Sequence, residues 1–275
     1  MRAKFTAAAV QEEIGYLDPT GNAERFAKRV QEEAAAGAEL IVLPELANIG
    51  YPVSAESDDL ADYYHAAEHF GGEFTQAIRD AAVSTGTHVV VGFAERHATL
   101  TGVIANTAVL IRPDASTEFH RKIHLPRLEK SYFEPGGELT PFDTELGRIG
   151  VLVCADNSFP EAARVLALRG AEVIAVSYQA PTLPNPTLYH GLTATRAYEN
   201  QCYVVAANRC GAQGELPFCG TSAIGAPDGT LPAALDDQPG TARAELDADL
   251  LVRTRLFQTR YRDRRPDLYG PIAQA

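Results

Sequence analysis

The sequence predicts an α/β protein, because short apolar, strand-like segments alternate along the chain with segments of helical periodicity. The segment 39–43 (ELIVL) is short and apolar, which is typical of a buried strand. The segment 22–36 carries Phe26, Val30 and several alanines at helical spacing, with charged residues between them. Strands that alternate with helices favour a layered α/β architecture.

The same two patterns assign the other elements in chain order. Further helices are predicted at 72–85, 159–169 and 189–200. Pro227, Asp228 and Gly229 predict a turn between the last two strands, and residues 180–187 predict a loop. Further strands are predicted at 4–10, 88–93, 104–111, 117–121 (a pairing partner of 104–111), 148–154, 172–177, 202–207, 223–226 and 241–246.

Length, charge and cysteine content restrict the class of protein. The chain has 275 residues, 45% of them hydrophobic, which is enough to bury a substantial core, and no linker or internal repeat divides it. Its formal net charge of -12 argues against a nucleic-acid partner. The N-terminal apolar stretch soon meets Gln11, Glu12 and Glu13, so we expect no signal peptide or membrane span and a cytoplasmic location. We expect the four cysteines to be free thiols.

Three chemically capable side chains stand at the ends of predicted strands. Glu45 follows the strand 39–43, Lys122 follows the strand 117–121, and Cys154 ends the strand 148–154. Ligand sites of α/β sheets gather at such strand ends, so we expect these side chains to lie close together. Each residue alone has a plainer interpretation: a solvated loop glutamate, a surface lysine, or a cysteine that packs as a small buried hydrophobe.

The neighbours of these residues indicate what each could do. Leu43 and Leu46 flank Glu45, and partial burial would raise the pKa of its carboxyl group, which suits a general base. The ammonium group of Lys122 could stabilise an oxyanion that develops on a reacting carbonyl.

The surroundings of Cys154 predict a nucleophile. A strand runs into this cysteine and a helix follows, with Asp156, Asn157 and Ser158 as residue types that cap helices. The positive end of the helix dipole would favour the thiolate, and the backbone N–H of Ala155 would serve as a second oxyanion donor.

Three motifs, in order, resemble those of the carbon–nitrogen hydrolase (nitrilase) superfamily. They are LPELANIGYP around Glu45, HRKIHLP around Lys122 and CADNSFPEAAR from Cys154 onwards. The later segments RAYENQCYVVAANRCG and CGTSAIGAPDG also look like family segments, so that the resemblance covers nearly the whole chain.

The resemblance implies a fold, a site and an assembly. The fold would be an α-β-β-α sandwich formed by residues 1–275 as one domain. Glu45 would be the general base, Lys122 the electrostatic stabiliser and Cys154 the nucleophile, without a metal or organic cofactor. Glu129 would be a fourth member of the site, with Glu134 and Glu138 as nearby competitors. Subunits would pair as a homodimer or higher oligomer, with the tail at about 255–275 (YRDRRPDLY at 261–269) at the interface.

The residues after Cys154 favour a small primary carboxamide as the substrate. Family nitrilases typically have W-E after the cysteine, whereas this chain has Ala155 and Asp156. Asn157 and Ser158 replace the arginine pair that grips an anionic carbamoyl amino acid. The chain resembles 5-aminopentanamidase-like and related aliphatic amidases, which would release ammonia through a thioester. Ala155, Asn157 and Tyr51 are the expected oxyanion-binding or substrate-binding residues. An N-carbamoyl amine, such as N-carbamoylputrescine, and a nitrile stay open as alternative substrates.

Two interpretations compete with an amidase. His65, Glu68 and His69 fit an H-x-x-E-H pattern, which on a helix would present two histidines to zinc, against the plainer interpretation of a polar helix face. The chain could also be a pseudoenzyme or binding module on the same fold.

Overall fold

The strands of the protein form two six-stranded sheets and a two-stranded ribbon in a computed structural model that describes residues 1–54, 56–185 and 187–274. The helices are α1 Pro19–Ala35, α2 Ser57–Ala66, α3 Glu73–Thr85, α4 Pro160–Leu168, α5 Leu188–Asn200, α6 Ala248–Phe257 and α7 Arg260–Asp263. The strands are β1 Lys4–Gln11, β2 Leu40–Val42, β3 His88–Arg96, β4 Ile104–Ile111, β5 Thr117–Arg121, β6 Phe142–Thr144, β7 Gly147–Val153, β8 Val173–Tyr178, β9 Tyr203–Asn208, β10 Ala212–Gln213, β11 Leu216–Pro217, β12 Ala223–Gly225, β13 Ala233–Ala234 and β14 Gly240–Asp247.

The first sheet has the order β14-β1-β2-β3-β4-β5. Strands β1, β2 and β3 are parallel, while β4 runs antiparallel to β3 and β5 antiparallel to β4. The carboxyl end of β5 therefore lies at the same edge as those of β2 and β3. The second sheet has the order β13-β12-β9-β8-β7-β6, with β7, β8 and β9 parallel.

Three apolar layers make this arrangement an α-β-β-α sandwich. The inner layer lies between the sheets and includes Leu40 and Val90 of the first sheet and Val151 of the second. One outer layer packs α1 and α3 on the first sheet, and the other packs α4 and α5 on the second. The parallel strands are buried on both faces, which explains why they are apolar throughout. The predicted α/β class and sandwich are confirmed.

Most predicted elements are confirmed to within a few residues, but the late strands are corrected. The strand that returns from the turn at Pro227–Gly229 is β13, which pairs with β12. The segment predicted at 241–246 is β14, which instead pairs with β1 in the other sheet. Turn residues specify a reversal locally, whereas the β1–β14 pairing joins the two ends of the chain. Helices α2 and α6 were not predicted. The predicted loop 180–187 contains Pro186 and the predicted tail contains Ala275, and both residues lie outside the described part of the chain.

Among the described residues, no helix combines the length and the apolar character that crossing a membrane requires.

Candidate active site

The three side chains singled out from the sequence meet where the two sheets face each other. Glu45 lies three residues beyond the end of β2, Lys122 directly follows β5, and Cys154 directly follows β7. The sheets are joined at this point, because the backbone N–H of Glu45 donates to the carbonyl of Tyr178 at the end of β8, 3.2 Å away. The site therefore draws on strand ends of both sheets.

A buried lysine lies between two buried carboxylates. Lys122 Nζ is 2.7 Å from Glu45 Oε1 and 2.8 Å from Glu129 Oε1, and all three side chains are at most 1% exposed. Asn106, in β4, donates from Nδ2 to Glu45 Oε1 at 2.6 Å. Such a cluster is stable only when complete, because loss of one partner from a buried ion pair costs about 3–5 kcal/mol.

The charges of this cluster follow from its contacts. Burial lowers the pKa of Lys122, but the negative groups around it, Glu45 foremost, outweigh this and hold the pKa well above its usual range. Burial raises the pKa of Glu129 to about 7, against the opposing effect of Lys122. Lys122 is therefore an ammonium ion, and Glu129 is the carboxyl group of the cluster that titrates near neutral pH.

The structure brings Glu129 into the cluster and leaves its two competitors outside it. Glu129 lies in the 3-10 helix Arg127–Ser131, and its Oε1 also accepts from the hydroxyl of Tyr51 at 3.0 Å. Burial raises the pKa of Tyr51, so its phenol keeps the proton that it donates. Glu134 and Glu138 are exposed. Tyr51, expected to contact substrate, is thus also a hydrogen-bond partner of Glu129.

The second oxygen of Glu45 is held from the other sheet. Glu45 Oε2 accepts from the backbone N–H of Gln179 at 2.8 Å, and the Gln179 side chain donates from Nε2 to the Glu45 carbonyl at 2.7 Å. Both the carboxylate and the backbone of Glu45 are therefore fixed by one residue at the end of β8.

Cys154 occupies a strained turn. Its φ of 44° lies in the left-handed region, which costs a residue other than glycine about 1–3 kcal/mol. The 3-10 helix Cys154–Ser158 follows immediately, and α4 begins only at Pro160. A sharp strand-to-helix turn of this kind presents a nucleophile at the edge of a sheet.

The helix dipole was expected to favour the thiolate of Cys154, but at the resting site other effects outweigh it. Burial of the sulfur raises the pKa of Cys154, the carboxylate of Glu45 raises it further, and Lys122 only partly offsets both. The element that begins at Cys154 is a five-residue 3-10 helix, too short to compete with these effects. The resting residue is a thiol that needs a base.

Asp156 caps the 3-10 helix that begins at Cys154, as its residue type predicts, and it also binds a second segment of the chain. Its Oδ1 accepts from the backbone N–H groups of Ile123 and His124, at 3.1 and 2.9 Å, and its Oδ2 accepts from the N–H of Val153 at 3.2 Å. One oxygen of the carboxylate thus binds the start of its own helix, and the other binds the segment after Lys122. Asp156 ties the turn that carries Cys154 to the loop after Lys122.

Neither Asn157 nor Ser158 caps the helix, since the N-cap of α4 is Phe159, without a side-chain hydrogen bond. Asn157 is buried, and its Nδ2 donates to the hydroxyl of Tyr178 at 2.6 Å. Ala155 is partly exposed beside Cys154. Substrate contacts of Ala155, Asn157 and Tyr51 stay predictions.

The zinc interpretation of the H-x-x-E-H segment is wrong. Helix α2 ends at Ala66, so His65 and His69 do not share a helix face. Glu68 is buried and accepts from the N–H groups of Phe74 and Thr75 at the start of α3. Within the described ranges, no cluster of histidine, cysteine and acidic side chains could hold a metal ion.

Sequence reasoning missed Asn106, Gln179 and Asp156 as parts of the site. Gln179 follows the end of β8, so the strand-end rule that selected Glu45 could have selected it. Asn106 is a polar residue inside an otherwise apolar strand (IANTAVLI), and a buried amide there indicates a specific partner.

The family model for carbon–nitrogen hydrolases matches residues 6–256. The chain belongs to this family. A nitrilase from Pyrococcus abyssi is 35% identical to this carbon–nitrogen hydrolase, over 95% of this chain and 98% of the relative. The human deaminated glutathione amidase is 33% identical, over 93% and 81%. A solved structure of the amidase from Nesterenkonia sp. AN1 with acrylamide has a TM-score of 0.78 and 27% identity, over 97% and 96%.

The carbon–nitrogen hydrolase is therefore an enzyme that acts on amides, and it cleaves carbon–nitrogen bonds other than peptide bonds. This finding sets aside the alternative of a pseudoenzyme or binding module.

Proposed function

We propose that this carbon–nitrogen hydrolase converts a small primary carboxamide into a carboxylate and ammonia through a thioester on Cys154. The observation that supports this most strongly is the buried Lys122 between Glu45 and Glu129, together with Cys154 on a strained turn, whose pKa both Glu45 and Lys122 affect. Glu45 is the general base, Cys154 the nucleophile, and Lys122 and the Ala155 N–H the oxyanion donors.

The first half of the reaction forms the acyl-enzyme. Glu45 accepts the thiol proton as Cys154 Sγ attacks the amide carbon, which is necessary because burial keeps the resting group a thiol. The negative charge that develops on the amide oxygen is stabilised by the Lys122 ammonium. Glu45 returns the proton to the leaving nitrogen, the C–N bond breaks, and ammonia departs.

The second half regenerates the enzyme. Glu45 accepts a proton from water, whose oxygen attacks the thioester carbon. The C–S bond breaks, the carboxylic acid leaves, and Cys154 recovers its proton. Throughout, Glu129 accepts a hydrogen bond from the Lys122 ammonium, and the Tyr51 hydroxyl donates to Glu129.

The choice of a carboxamide rests on the sequence Cys154-Ala155-Asp156. It lacks the W-E pattern of nitrilases, and Asn157 and Ser158 provide no cation for an anionic carbamoyl amino acid. An N-carbamoyl amine is the second candidate, because it presents the same planar NH2–C=O group to the nucleophile.

A panel of primary amides, ω-amino amides, nitriles and N-carbamoyl amines, assayed for ammonia, tests this proposal. We expect ammonia from a primary amide, and none from the same amide with Cys154→Ala. Cys202→Ala is the matched control, because Cys202 is a buried thiol of the core beside α5. Equal turnover by the Cys154→Ala variant would overturn the mechanism, and release of carbon dioxide with ammonia would identify a carbamoyl substrate.

We also propose that residues 1–275 act as a homo-oligomer with the tail at the subunit interface. Leu256 and Phe257, at the end of α6, are 70% and 89% exposed, and Ile272 is 61% exposed. A groove of about 800 Å³ lies between α4 and the tail. Exposed apolar surface of this kind favours a protein partner.

A further inference from the structure

A buried arginine lies behind the site without a carboxylate partner. Arg209 directly follows β9, is 1% exposed, and has its guanidinium 4.1 Å from the ring centre of Phe218. Within the described residues, no carboxylate lies at salt-bridge distance from it. Burial lowers its pKa to about 10, which leaves it charged at neutral pH. A buried and unpaired charge is costly, so its hydrogen bonds require an explanation.

The Nη1 atom of Arg209 binds two glutamine side chains at once. It donates to Gln179 Oε1 at 3.0 Å and to Gln213 Oε1 at 2.7 Å, while Nη2 donates to the carbonyl of Ile14 at 2.8 Å. A guanidinium group has donors and no acceptor. Both glutamines must therefore turn their oxygens towards Arg209 and their Nε2 groups away from it.

The outward Nε2 groups then hold the two ends of one segment. Gln179 donates to the carbonyl of Glu45 at 2.7 Å. Gln213 donates to the carbonyl of Tyr51 at 2.6 Å, and its Oε1 accepts from the Tyr51 N–H at 3.1 Å. Reversal of either amide would set donor against donor at Arg209 and oxygen against a carbonyl oxygen at the other end.

The segment 45–51 needs this support because its backbone is irregular. Leu46 has a φ of 46° and Gly50 a φ of 82°, both in the left-handed region. A Cβ at Gly50 would lie 2.7 Å from Gln213 Oε1, so the glutamine closes directly against the chain here.

We propose that Arg209 is a positioning residue, which fixes the amide orientation of Gln179 and Gln213 and thereby places Glu45 and Tyr51. The proposal rests on the proposed function, in which Glu45 is the base and Tyr51 holds Glu129. Arg209 touches neither substrate nor sulfur; it acts through the two amides.

Two substitutions separate positioning from charge. Arg209→Lys keeps the charge without the planar fork, and Arg209→Met removes both. We expect both to lower kcat by about 100-fold with little change in KM, as a misplaced catalytic group does. The acid side of the pH profile of kcat/KM should also change. A purely structural role predicts the wild-type profile in the remaining folded enzyme. Full kcat in Arg209→Lys, or a loss that matches the unfolded fraction, would overturn the proposal.

Amide hydrogen exchange provides a readout that does not depend on turnover. We expect faster exchange at residues 45–51 in Arg209→Lys, and wild-type exchange there in Arg243→Met, which removes an ion pair with Glu33 far from the site. If the wild type hydrolyses no amide, the proposed function fails, but the exchange experiment still tests the role of Arg209. Unchanged exchange at residues 45–51 in Arg209→Lys would overturn that role.

Gln213→Leu keeps the inference testable if both Arg209 variants fail to fold. It leaves Arg209 bound to Gln179 and removes the hydrogen bonds of Gln213 to Arg209 and to Tyr51. We expect a smaller loss of kcat than in the Arg209 variants, and faster exchange near Tyr51 than in the wild type. Wild-type kcat and exchange in this variant would contradict the proposal.

Discussion

His120 Nε2 lies 3.0 Å from Asp156 Oδ2, in a buried contact between the strand that leads to Lys122 and the turn that carries Cys154. The ring of His124 reaches the other oxygen of Asp156 at 2.8 Å. The proposed nucleophile and the proposed oxyanion donor are therefore placed relative to each other by a carboxylate that takes no part in the chemistry.

Asp156→Asn should lower both stability and activity. Both carboxylate oxygens of Asp156 accept hydrogen bonds from backbone N–H groups, whereas the amide of asparagine would turn an NH2 group towards one set of these donors. The lost hydrogen bonds should lower the unfolding free energy by about 3 kcal/mol. We expect a lower urea midpoint and a lower kcat on an amide substrate. The control is Asp143→Asn, an exposed residue paired with the exposed Arg148, whose stability should stay close to wild type. Equal midpoints for the two variants would contradict the role of Asp156.

The destabilisation in Asp156→Asn should depend on pH. Burial raises the pKa of Asp156, but hydrogen bonds from His120 and His124 outweigh it and hold the pKa well below its usual range. A depressed carboxyl pKa contributes stability above the unfolded-state value of about 3.9, and this contribution is lost as the pH falls through the folded-state value. The difference in unfolding free energy between wild type and variant should therefore be largest near neutral pH and should shrink below about pH 4. A difference that is constant over this range would contradict the assignment.

Glu45→Gln should greatly slow hydrolysis while making the thiol of Cys154 more reactive towards an alkylating agent. Loss of the base should lower kcat by about 10³-fold. Because the Glu45 carboxylate raises the pKa of Cys154, its neutral amide should lower that pKa and increase the thiolate fraction at a given pH. Alkylation of Cys154 by iodoacetamide, followed by mass spectrometry at neutral pH, should therefore be faster than in wild type. Glu134→Gln, at an exposed residue, should change neither rate.

Glu129→Gln should remove a titration from the activity profile. Burial raises the pKa of Glu129 to about 7, so the carboxyl group gains a proton as the pH falls through that value, and its hold on the Lys122 ammonium weakens. We expect kcat/KM of the wild type to fall on that acid side and the variant to lack this step, at a kcat lower by up to about 100-fold. An unchanged acid limb would exclude Glu129 as its source, and Glu138→Gln should match wild type.

Sedimentation of the purified protein should give the mass of a dimer or a higher oligomer. Leu256→Glu places a charge on the exposed apolar surface of α6 and should shift the mass towards the monomer. Leu100→Glu is the matched control, because Leu100 is 55% exposed next to β4 in the first sheet. A monomeric wild type would contradict the proposed assembly.

The sequence predicts most of the strands and helices because their signals are local. Residues after strand ends were expected to meet, and Glu45, Lys122 and Cys154 do so. The charge state of Cys154 was not predictable, because it depends on burial and on Glu45, which is more than 100 residues away along the chain. The pattern around Asp156 indicated a cap, and Asp156 does accept from the N–H of Val153 at the start of the 3-10 helix. Its hydrogen bonds from the N–H groups of Ile123 and His124 were not predictable, because that contact is visible only in the fold.

The other features that the sequence did not predict depend on contacts between residues far apart along the chain. Strand β14 carries no local sign that it pairs with β1. Helix α2 ends within the H-x-x-E-H segment, at Ala66, because Ala67 adopts an extended backbone. The Glu68 carboxylate then accepts a hydrogen bond from the N–H of Thr75 in the first turn of α3. Arg209 lies in the segment RAYENQCYVVAANRCG, yet nothing in that segment indicates that its partners are Gln179 and Gln213.

Because the site is divided between two sheets, catalytic activity requires that the two sheets be docked correctly against each other. The first sheet supplies Glu45 and Lys122, and the second supplies Cys154 and Gln179. A slip of one sheet along the other by a single residue, about 3.3 Å, would exceed the reach of every hydrogen bond that joins them. A compact intermediate with both sheets formed but not docked would therefore be inactive. Regain of activity during refolding should mark the docking of the sheets and not the formation of either one.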